Sequence, residues 1–163
     1  MTIEVGTPLP AATLVRLGDD GPEAIDTRDY VAGRKVVLFG LPGAFSGTCS
    51  TSHVPSFMRT AEAFREKGID EIICVSVNDA FVMKAWGEAT GATAAGLTFL
   101  ADADASLTKA LGMEFSVPVL GFYDRSNRYA LVLDDGIVTV ANVDEPNTCN
   151  LSTGESLLEA MAI

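Results

Sequence analysis

The sequence is poor in basic residues and in long apolar runs, and each shortage argues against a class of partner. Lys and Arg total 11 against 22 Asp and Glu, which gives a formal net charge of −11. A surface of this charge repels nucleic-acid phosphates and anionic lipid headgroups, so we expect neither nucleic acid nor membrane as a partner. No apolar run approaches the roughly 20 residues of a transmembrane helix.

Cysteine and histidine are also scarce. Three cysteines are too few, and odd in number, for a structural disulfide framework. The N-terminal residues lack the basic and apolar regions of a secretory signal peptide, so we expect a cytoplasmic protein. In a reducing compartment, thiols that are used at all are usually catalytic, redox-active or metal-binding. A zinc site needs three or four protein ligands, and one histidine with widely spaced cysteines predicts no metal.

What is present fits one domain over residues 1–163, with no repeat, linker or low-complexity tract. Runs at strand spacing alternate with runs at helical spacing. Strands are predicted at 13–17, 35–39, 71–77, 97–100, 129–133 and 137–141. Helices are predicted at 29–32, from near Cys49 to Gly68 with a kink at Pro55, from an Asn78 cap to Gly91, at 104–111, and from a Ser152 cap to Met161.

This order predicts the fold class. Alternating strands and helices favour a parallel core, and Asp-Gly between the last two apolar runs predicts a hairpin that adds antiparallel strands. We therefore expect an α/β fold with a mixed central β-sheet and helices on both faces, thioredoxin-like in outline. On the helix after Asn78, the spacing places one apolar face at Phe81, Val82, Ala85, Trp86 and Ala89.

One cysteine stands in an unusual context. Cys49 closes the segment 42–49, which reads Pro42-Gly43-Ala44-Phe45-Ser46-Gly47-Thr48-Cys49 and follows a predicted buried strand. A cysteine is often a small buried hydrophobe, but the neighbours here are glycine, serine and threonine. At the start of a helix, unpaired N–H groups and the helix dipole stabilise a thiolate, which is the reactive form of the thiol. The sequence therefore predicts a functional thiol at Cys49.

The segment 42–49 and its continuation to Pro55 resemble the active-site segment of peroxiredoxins, and more narrowly of the type II, or type-five atypical, subfamily. Further stretches match in the family's order, at 75–81, 100–102, 128–130 and 135–138. The resemblance thus covers nearly the whole chain. It implies a thiol-dependent peroxidase that reduces hydrogen peroxide and alkyl hydroperoxides without metal, haem or flavin.

The resemblance also implies roles for individual residues. Cys49 would be the peroxidatic cysteine that becomes a sulfenic acid, and Pro42 would shield its sulfur. The hydroxyl of Ser46, where the family usually has threonine, would hydrogen-bond the peroxide. Arg128 would lower the pKa of Cys49 and polarise the O–O bond. From the residues alone, Arg128 beside Arg125 is typical of a solvated strand end.

Four more residues are assigned to the pocket around the thiol. Gly43, Phe45 and Thr48 belong to the segment 42–49, and glycine lets the backbone approach a ligand closely. His53 follows Cys49 by four residues, so both could share one helix face. The imidazole could hold the thiolate, line the pocket mouth or serve a structural role, and the sequence leaves these alternatives open.

The remaining cysteines are candidates for resolving the sulfenic acid. Cys74 lies in a predicted buried strand, and a disulfide with Cys49 would require local unfolding. Cys149 lies in a polar loop before the last helix, and its position resembles that of the resolving cysteine in animal-type relatives. We favour Cys149. The resemblance further implies thioredoxin, or glutaredoxin with glutathione, as reductant, and a homodimer for which Phe45 and Phe81 are the predicted contact residues.

Two other functions are compatible with a reactive Cys49. The stretch 49–52 is a C-x-x-S pattern, which suits a monothiol disulfide reductase. A non-enzymatic redox sensor would change partners when its cysteine oxidises. The segment 42–49 and Arg128 favour the peroxidase, because disulfide exchange requires neither.

Overall fold

The computed structural model describes residues 3–162, and of Cys49 it describes the backbone only. In this part of the chain the strands are β1 (Thr13–Gly18), β2 (Gly21–Asp26), β3 (Lys35–Gly40), β4 (Glu71–Ser76), β5 (Leu97–Ala101), β6 (Glu114–Val117), β7 (Phe122–Ser126), β8 (Tyr129–Asp134) and β9 (Ile137–Val143). The helices are α1 (Thr27–Val31), α2 (Val54–Glu66), α3 (Ala80–Ala89), α4 (Ser106–Ala110) and α5 (Gly154–Met161). A π-helical turn, Cys49–His53, precedes α2, and a 3₁₀ turn, Pro118–Leu120, joins β6 to β7.

Seven strands form one mixed sheet in the order β2-β1-β5-β4-β3-β8-β9. The central strands β3, β4 and β5 pair in parallel. The outer strands pair antiparallel, with β1 and β2 on one side and β8 and β9 on the other. β6 and β7 form a separate antiparallel hairpin. The predicted mixed sheet is confirmed.

The sheet is covered by helices on both faces, as predicted. Side chains of β3 alternate between two buried clusters: Val37 and Phe39 pack with α2, α3 and α5, while Val36 and Leu38 pack with α1 and α4. A strand that is buried on both faces needs apolar residues at successive positions, which explains the unbroken apolar run in this strand.

The prediction missed two structural features, β2 and the β6–β7 hairpin. β2 lies at the sheet edge, and of its side chains Ile25 is buried while most others are exposed. In the hairpin, β6 alternates between exposed and half-buried residues, and in β7 Ser126 alone is buried. Strands that bury so little lack the apolar pattern from which strands are recognised in a sequence.

The start of α3 differs from the prediction. Its N-cap is Asp79, whose carboxylate accepts a hydrogen bond from the N–H of Val82, rather than Asn78. The predicted apolar face is also wrong in part, because Phe81, Ala85 and Ala89 are exposed. The buried residues are Ala80, Met83, Trp86 and Gly87. Starting the helix one residue later leaves Asn78 available for contacts outside it.

The start of α5 differs in the same way. Its N-cap is Thr153, which accepts a hydrogen bond from the N–H of Ser156. The predicted cap, Ser152, instead donates its hydroxyl to the carboxylate of Asp144. A hydroxyl that is held by a carboxylate in another part of the chain is not available to cap a helix.

The pairing of β3 with β8 positions the candidate site. In this antiparallel pair Gly40, the last residue of β3, lies opposite Tyr129, the first residue of β8. A Cβ atom at Gly40 would lie 2.3 Å from Cε1 of Tyr129, so the tyrosine ring occupies the space that glycine leaves open. The segment that follows β3 therefore starts beside Arg128, which precedes Tyr129 in the chain.

Candidate active site

The segment 42–49 leaves β3 as a tight loop. The N–H and the hydroxyl of Ser46 both donate to the carbonyl of Gly43, the hydroxyl at 2.7 Å. The N–H of Ala44 donates to Oδ1 of Asn78 at 3.0 Å, and Ser76 donates to the same oxygen at 2.8 Å. Asn78, which the sequence suggested as a helix cap, is thus a support of this loop.

The loop leads into the π-helical turn Cys49–His53. Turns of this kind are rare and are frequently found at functional sites. The turn is fastened to α3, because the indole N–H of Trp86 donates to the hydroxyl of Ser50 at 2.9 Å. Pro55 lies in the first turn of α2, where its missing N–H costs least. The sequence predicts a kink at Pro55. The irregularity in the structure is the π-helical turn, which ends at His53, two residues before the proline.

The side chain of Cys49 lies outside the described residues, so its predicted role as nucleophile stays a prediction. Its backbone begins the π-helical turn, at the start of the helical part of the chain. The carbonyl of Ser46 accepts a hydrogen bond from the N–H of Ser50, which fixes the backbone on both sides of the cysteine.

A groove of about 720 Å³ opens beside the segment 42–49. Pro42, Ser46, Thr48 and Arg128 all line it. The β6–β7 hairpin and its 3₁₀ turn supply apolar lining residues, and the loop 145–148 supplies a further part of the lining. The structure therefore brings the predicted Pro42, Ser46 and Arg128 to one place.

Three residues assigned to the pocket from the sequence do not line this groove. Gly43 is buried beneath Arg125, whose Nη1 would lie 2.5 Å from a Cβ atom there. Phe45 has a positive φ of 62° and is 57% exposed. His53 is completely buried.

A second arginine, Arg125, also contacts the segment 42–49, although the sequence does not assign it to the site. Arg125 in β7 donates from Nη1 to the carbonyl of Pro42 at 3.2 Å. Its guanidinium also lies 5.0 Å from the ring centroid of Phe122. Nothing in the sequence distinguishes Arg125 from a solvated strand residue, because its partners come from a distant segment and a strand that was not predicted.

His53 is held on both ring nitrogens. Nε2 lies 2.9 Å from the carbonyl oxygen of Ser152, and Nδ1 lies 3.3 Å from Nη1 of Arg128. The ring also packs against those of Phe39 and Phe57, with centroids 5.0 Å and 5.8 Å away. Burial, and to a lesser degree the charge of Arg128, lowers the pKa of His53 to about 3. The imidazole is therefore neutral in the folded protein near neutral pH.

The loop between β9 and α5 closes around one carboxylate. Asp144 accepts hydrogen bonds from the N–H groups of Asn150, Leu151 and Ser152, and from the Ser152 hydroxyl. Although burial favours the protonated acid, these hydrogen bonds lower the pKa of Asp144. The loop also carries Cys149, which is half-buried, whereas Cys74 is 0% exposed in β4.

Two broader findings bear on the site. In the part of the chain that the structure describes, no three His, Cys, Asp or Glu side chains are grouped so that they could hold a metal ion. No helix of that part is long and apolar enough to cross a membrane.

The buried histidine predicts a pH dependence of stability. His53 binds a proton in the unfolded chain below its ordinary pKa of 6.5, but in the folded protein only near 3. Between these values the unfolded state binds more protons, so the free energy of unfolding falls as the pH falls, by about 1 kcal/mol per unit on average from pH 7 to 5 and approaching about 1.4 kcal/mol per unit below that. Urea denaturation from about pH 5 to 7 measures this slope, above the range in which carboxylates titrate.

The control is His53→Gln, with Cys49→Ser in both proteins so that no active-site thiol titrates. Because His53 is the one histidine of the sequence, the variant should lose most of the slope in this window. Equal slopes in the two proteins would contradict the prediction.

Comparison with known proteins identifies the family. The redoxin family model matches residues 4–158. Peroxiredoxin-2D of Arabidopsis thaliana is 45% identical over 98% of each chain. Peroxiredoxin-2E-2, chloroplastic, of Oryza sativa subsp. japonica is 45% identical over 98% of this chain and 73% of its own length.

A solved structure agrees with these matches. Reduced Prx3 of Vibrio vulnificus in complex with H₂O₂ superposes with a TM-score of 0.93 and 46% identity, over 98% of this chain and 99% of its own. The matched relatives are peroxiredoxins by name, and the resemblance of the segment 42–49 pointed to the same family. The chain belongs to the redoxin family and, within it, to the type II peroxiredoxins, which are thiol-dependent peroxidases with a thioredoxin-like fold.

Proposed function

We propose that Cys49 is the peroxidatic nucleophile of this peroxidase, and that Pro42, Ser46 and Arg128 form the pocket that binds the peroxide. One observation carries the proposal: Pro42 and Ser46 of the segment 42–49 and Arg128, from a distant part of the chain, line one groove beside the turn that begins at Cys49. Thr48 lines the same groove. Gly43 contributes by admitting Arg125 against the backbone of Pro42.

The reaction is a two-electron oxidation of the thiolate. The Cys49 sulfur attacks the terminal peroxide oxygen, an S–O bond forms and the O–O bond breaks. The leaving oxygen takes a proton and departs as water or an alcohol, and the cysteine becomes a sulfenic acid. A resolving thiol then condenses with the sulfenic acid to a disulfide and water, and an external dithiol reduces that disulfide.

The groove residues have distinct tasks in this step. The Ser46 hydroxyl donates its proton to the Gly43 carbonyl, so its lone pairs remain available as acceptors for the peroxide O–H. Arg128 supplies a positive charge where negative charge develops on the leaving oxygen. Pro42 lines the groove with an apolar ring, which would shield the sulfur from water.

Two classes of hydroperoxide fit this groove. The Vibrio vulnificus Prx3 structure is of a complex with H₂O₂, which supports hydrogen peroxide as a substrate here. Phe115, Val117, Leu120 and Phe122 give the groove an apolar part, which supports alkyl hydroperoxides.

The first test is peroxide consumption coupled to NADPH oxidation through a thioredoxin or a glutaredoxin system. Cys49→Ser should abolish turnover. Arg128→Gln should lower kcat/KM for peroxide by about a hundredfold, because one donor to a developing charge is lost. Arg59→Gln is the matched control, since this exposed arginine pairs with Glu155 and its loss changes the net charge equally.

Each competing function makes a different prediction in that assay. Full activity in Cys49→Ser would refute the central proposal. A monothiol disulfide reductase would exchange with glutathione disulfide and turn over little peroxide. A redox sensor would consume one equivalent of peroxide and stop.

Cys149 is the proposed resolving cysteine. It lies in the loop 144–152, and its neighbours Asn147 and Thr148 line the groove. Cys74 is fully buried in β4, paired between Phe39 and Phe99 in the middle of the sheet. A bond from Cys49 to Cys74 would require opening the core, whereas Cys149 requires movement of a loop.

Cys149→Ser should therefore keep the first, stoichiometric reaction with peroxide and lose thioredoxin-supported turnover. Cys74→Ser should keep both. Single-turnover and steady-state measurements on the two variants separate these steps and also identify the reductant. If both variants turned over normally with glutathione, the enzyme would use one cysteine, and the resolving role of Cys149 would be disproved.

A homodimer is also proposed, through a surface that contains Phe45 and Phe81. Both rings are largely exposed, at 57% and 64%. Phe45 lies in the segment 42–49, and Phe81 lies in the first turn of α3, the helix that Trp86 links to the turn at Ser50. Large exposed aromatic residues of this kind are enriched at interfaces. Sedimentation should show a dimer that Phe45→Glu shifts to monomer, while Tyr123→Glu, at a separate exposed aromatic, leaves it a dimer. A monomeric parent protein would disprove this.

Two expectations remain predictions. A single domain over 1–163 is supported by the continuous sheet and by the match of the family model to 4–158, and one cooperative unfolding transition would test it. The cytoplasmic location is open to cell fractionation, since one relative is named as chloroplastic.

A further inference from the structure

Four residues near the groove form a closed ring of hydrogen bonds. The Arg128 side chain reaches Nδ1 of His53, and Nε2 of His53 reaches the carbonyl of Ser152. The N–H and hydroxyl of Ser152 bond to the Asp144 carboxylate. The N–H of Asp144 returns to the carbonyl of Arg128 at 3.0 Å. The ring thus joins the turn before α2, the residue before β8 and the loop before α5.

The ring specifies the protonation of its histidine. A carbonyl oxygen can only accept, so the Nε2 of His53 that faces Ser152 carries the proton. In a neutral imidazole the other nitrogen, Nδ1, is then a bare acceptor, which is what the guanidinium of Arg128 needs. The two contacts therefore agree on one neutral tautomer.

We propose that His53 is a positioning residue, which uses its bare Nδ1 to hold the Arg128 guanidinium at the peroxide groove. The proposal rests on the proposed role of Arg128 as the cation of the peroxide pocket. His53 lies outside the groove lining and is completely buried, so it acts through Arg128 rather than on the peroxide.

A neutral acceptor suits this task better than a carboxylate would. Arginine loses rotamer freedom when it is fixed, and an unsupported guanidinium on a groove wall would sample several positions. A carboxylate would fix it but would also cancel most of its field at the sulfur. The imidazole fixes the guanidinium and leaves its positive charge available to the thiolate and to the leaving oxygen.

Asp144 supports the histidine in turn. It orders the loop 150–152 through three backbone N–H groups, and this places the Ser152 carbonyl against Nε2 of His53. Without that acceptor the ring proton could move to Nδ1, and Nδ1 would no longer accept from Arg128. The carboxylate therefore selects the tautomer on which the position of Arg128 depends.

Two substitutions at His53 separate its two contacts. The side-chain oxygen of His53→Asn lies at the place of Nδ1 and can accept from Arg128, but the side chain is too short to reach Ser152. The amide nitrogen of His53→Gln lies at the place of Nε2 and can donate to Ser152, but it has no acceptor at the place of Nδ1. Phe64→Leu, buried in α2 away from Arg128, controls for loss of stability.

The readouts are kcat/KM for hydrogen peroxide and the thermal midpoint. His53→Gln should lose about ten- to a hundredfold in kcat/KM, as expected for one hydrogen bond to a charged group. His53→Asn should lose several-fold less, even if it is the less stable variant. Phe64→Leu should lower the midpoint with a smaller loss of kcat/KM than His53→Gln. Equal losses in Asn and Gln, or losses that follow the thermal midpoint, would overturn the proposal.

A double-mutant cycle with Arg128 distinguishes this proposal from the one on which it rests. In an Arg128→Gln background, adding His53→Gln should cause no further loss of kcat/KM. If the two losses multiply instead, His53 does not act through Arg128. If Arg128→Gln itself keeps full activity, the proposed role of Arg128 fails, whatever His53 does.

A measurement on the unmodified His53 covers the case in which the variants do not fold. Nitrogen-15 correlation spectra of the histidine ring need no assignment, because the sequence contains one histidine. They should show an Nε2–H tautomer, with an Nδ1 shift that moves in Arg128→Gln. An Nδ1–H tautomer, or an Nδ1 chemical shift that is unchanged in Arg128→Gln, would overturn the proposal.

Discussion

The active site depends on the antiparallel register of β3 and β8. Gly40 ends β3 opposite Tyr129, which begins β8, and the tyrosine ring fills the space over the glycine. This one pairing places the segment 42–49, which leaves β3, next to Arg128, which enters β8. Cys49 and Arg128 are far apart in the chain, and this pairing brings the segments that carry them to the same end of the sheet.

The site carries positive charge although the chain as a whole is strongly acidic. The protein carries a formal net charge of −11, yet two arginines converge on the segment 42–49. Arg125 bonds the Pro42 carbonyl and shapes the loop, while Arg128 faces the groove. Two cations thus lie beside the segment that ends at Cys49, where the proposed thiolate would need them, and at this range their field would outweigh that of the distant acidic surface.

The sequence was informative wherever burial imposes a pattern. The runs that became β3, β4, β8 and β9 were recognisable because their apolar residues cover the two faces of the sheet or flank an Asp-Gly turn. The edge strand β2 and the β6–β7 hairpin bury little and left no pattern. By residue type, Asn78 and Asp79 suit a helix N-cap equally well, and so do Ser152 and Thr153. Contacts with distant segments occupy the side chains of Asn78 and Ser152, so Asp79 and Thr153 become the caps.

The same reasoning explains what the sequence could and could not predict about the site. Pro42, Ser46 and Arg128 are predicted through a family resemblance, whereas for His53, four residues after Cys49, the sequence leaves several roles open. Its partner Ser152 is 99 residues away in the chain, and no nearby sequence pattern indicates that the two residues interact.

The ring of hydrogen bonds also has a consequence for Cys149, which lies within the loop that Asp144 closes. Any motion that carries Cys149 out of this loop strains the bonds from Asn150 and Ser152 to Asp144, and with them the acceptor of His53. Under the roles proposed for Arg128 and Cys149, the position of Arg128 and the motion that delivers the resolving thiol depend on the same few hydrogen bonds, so the two steps cannot be optimised independently.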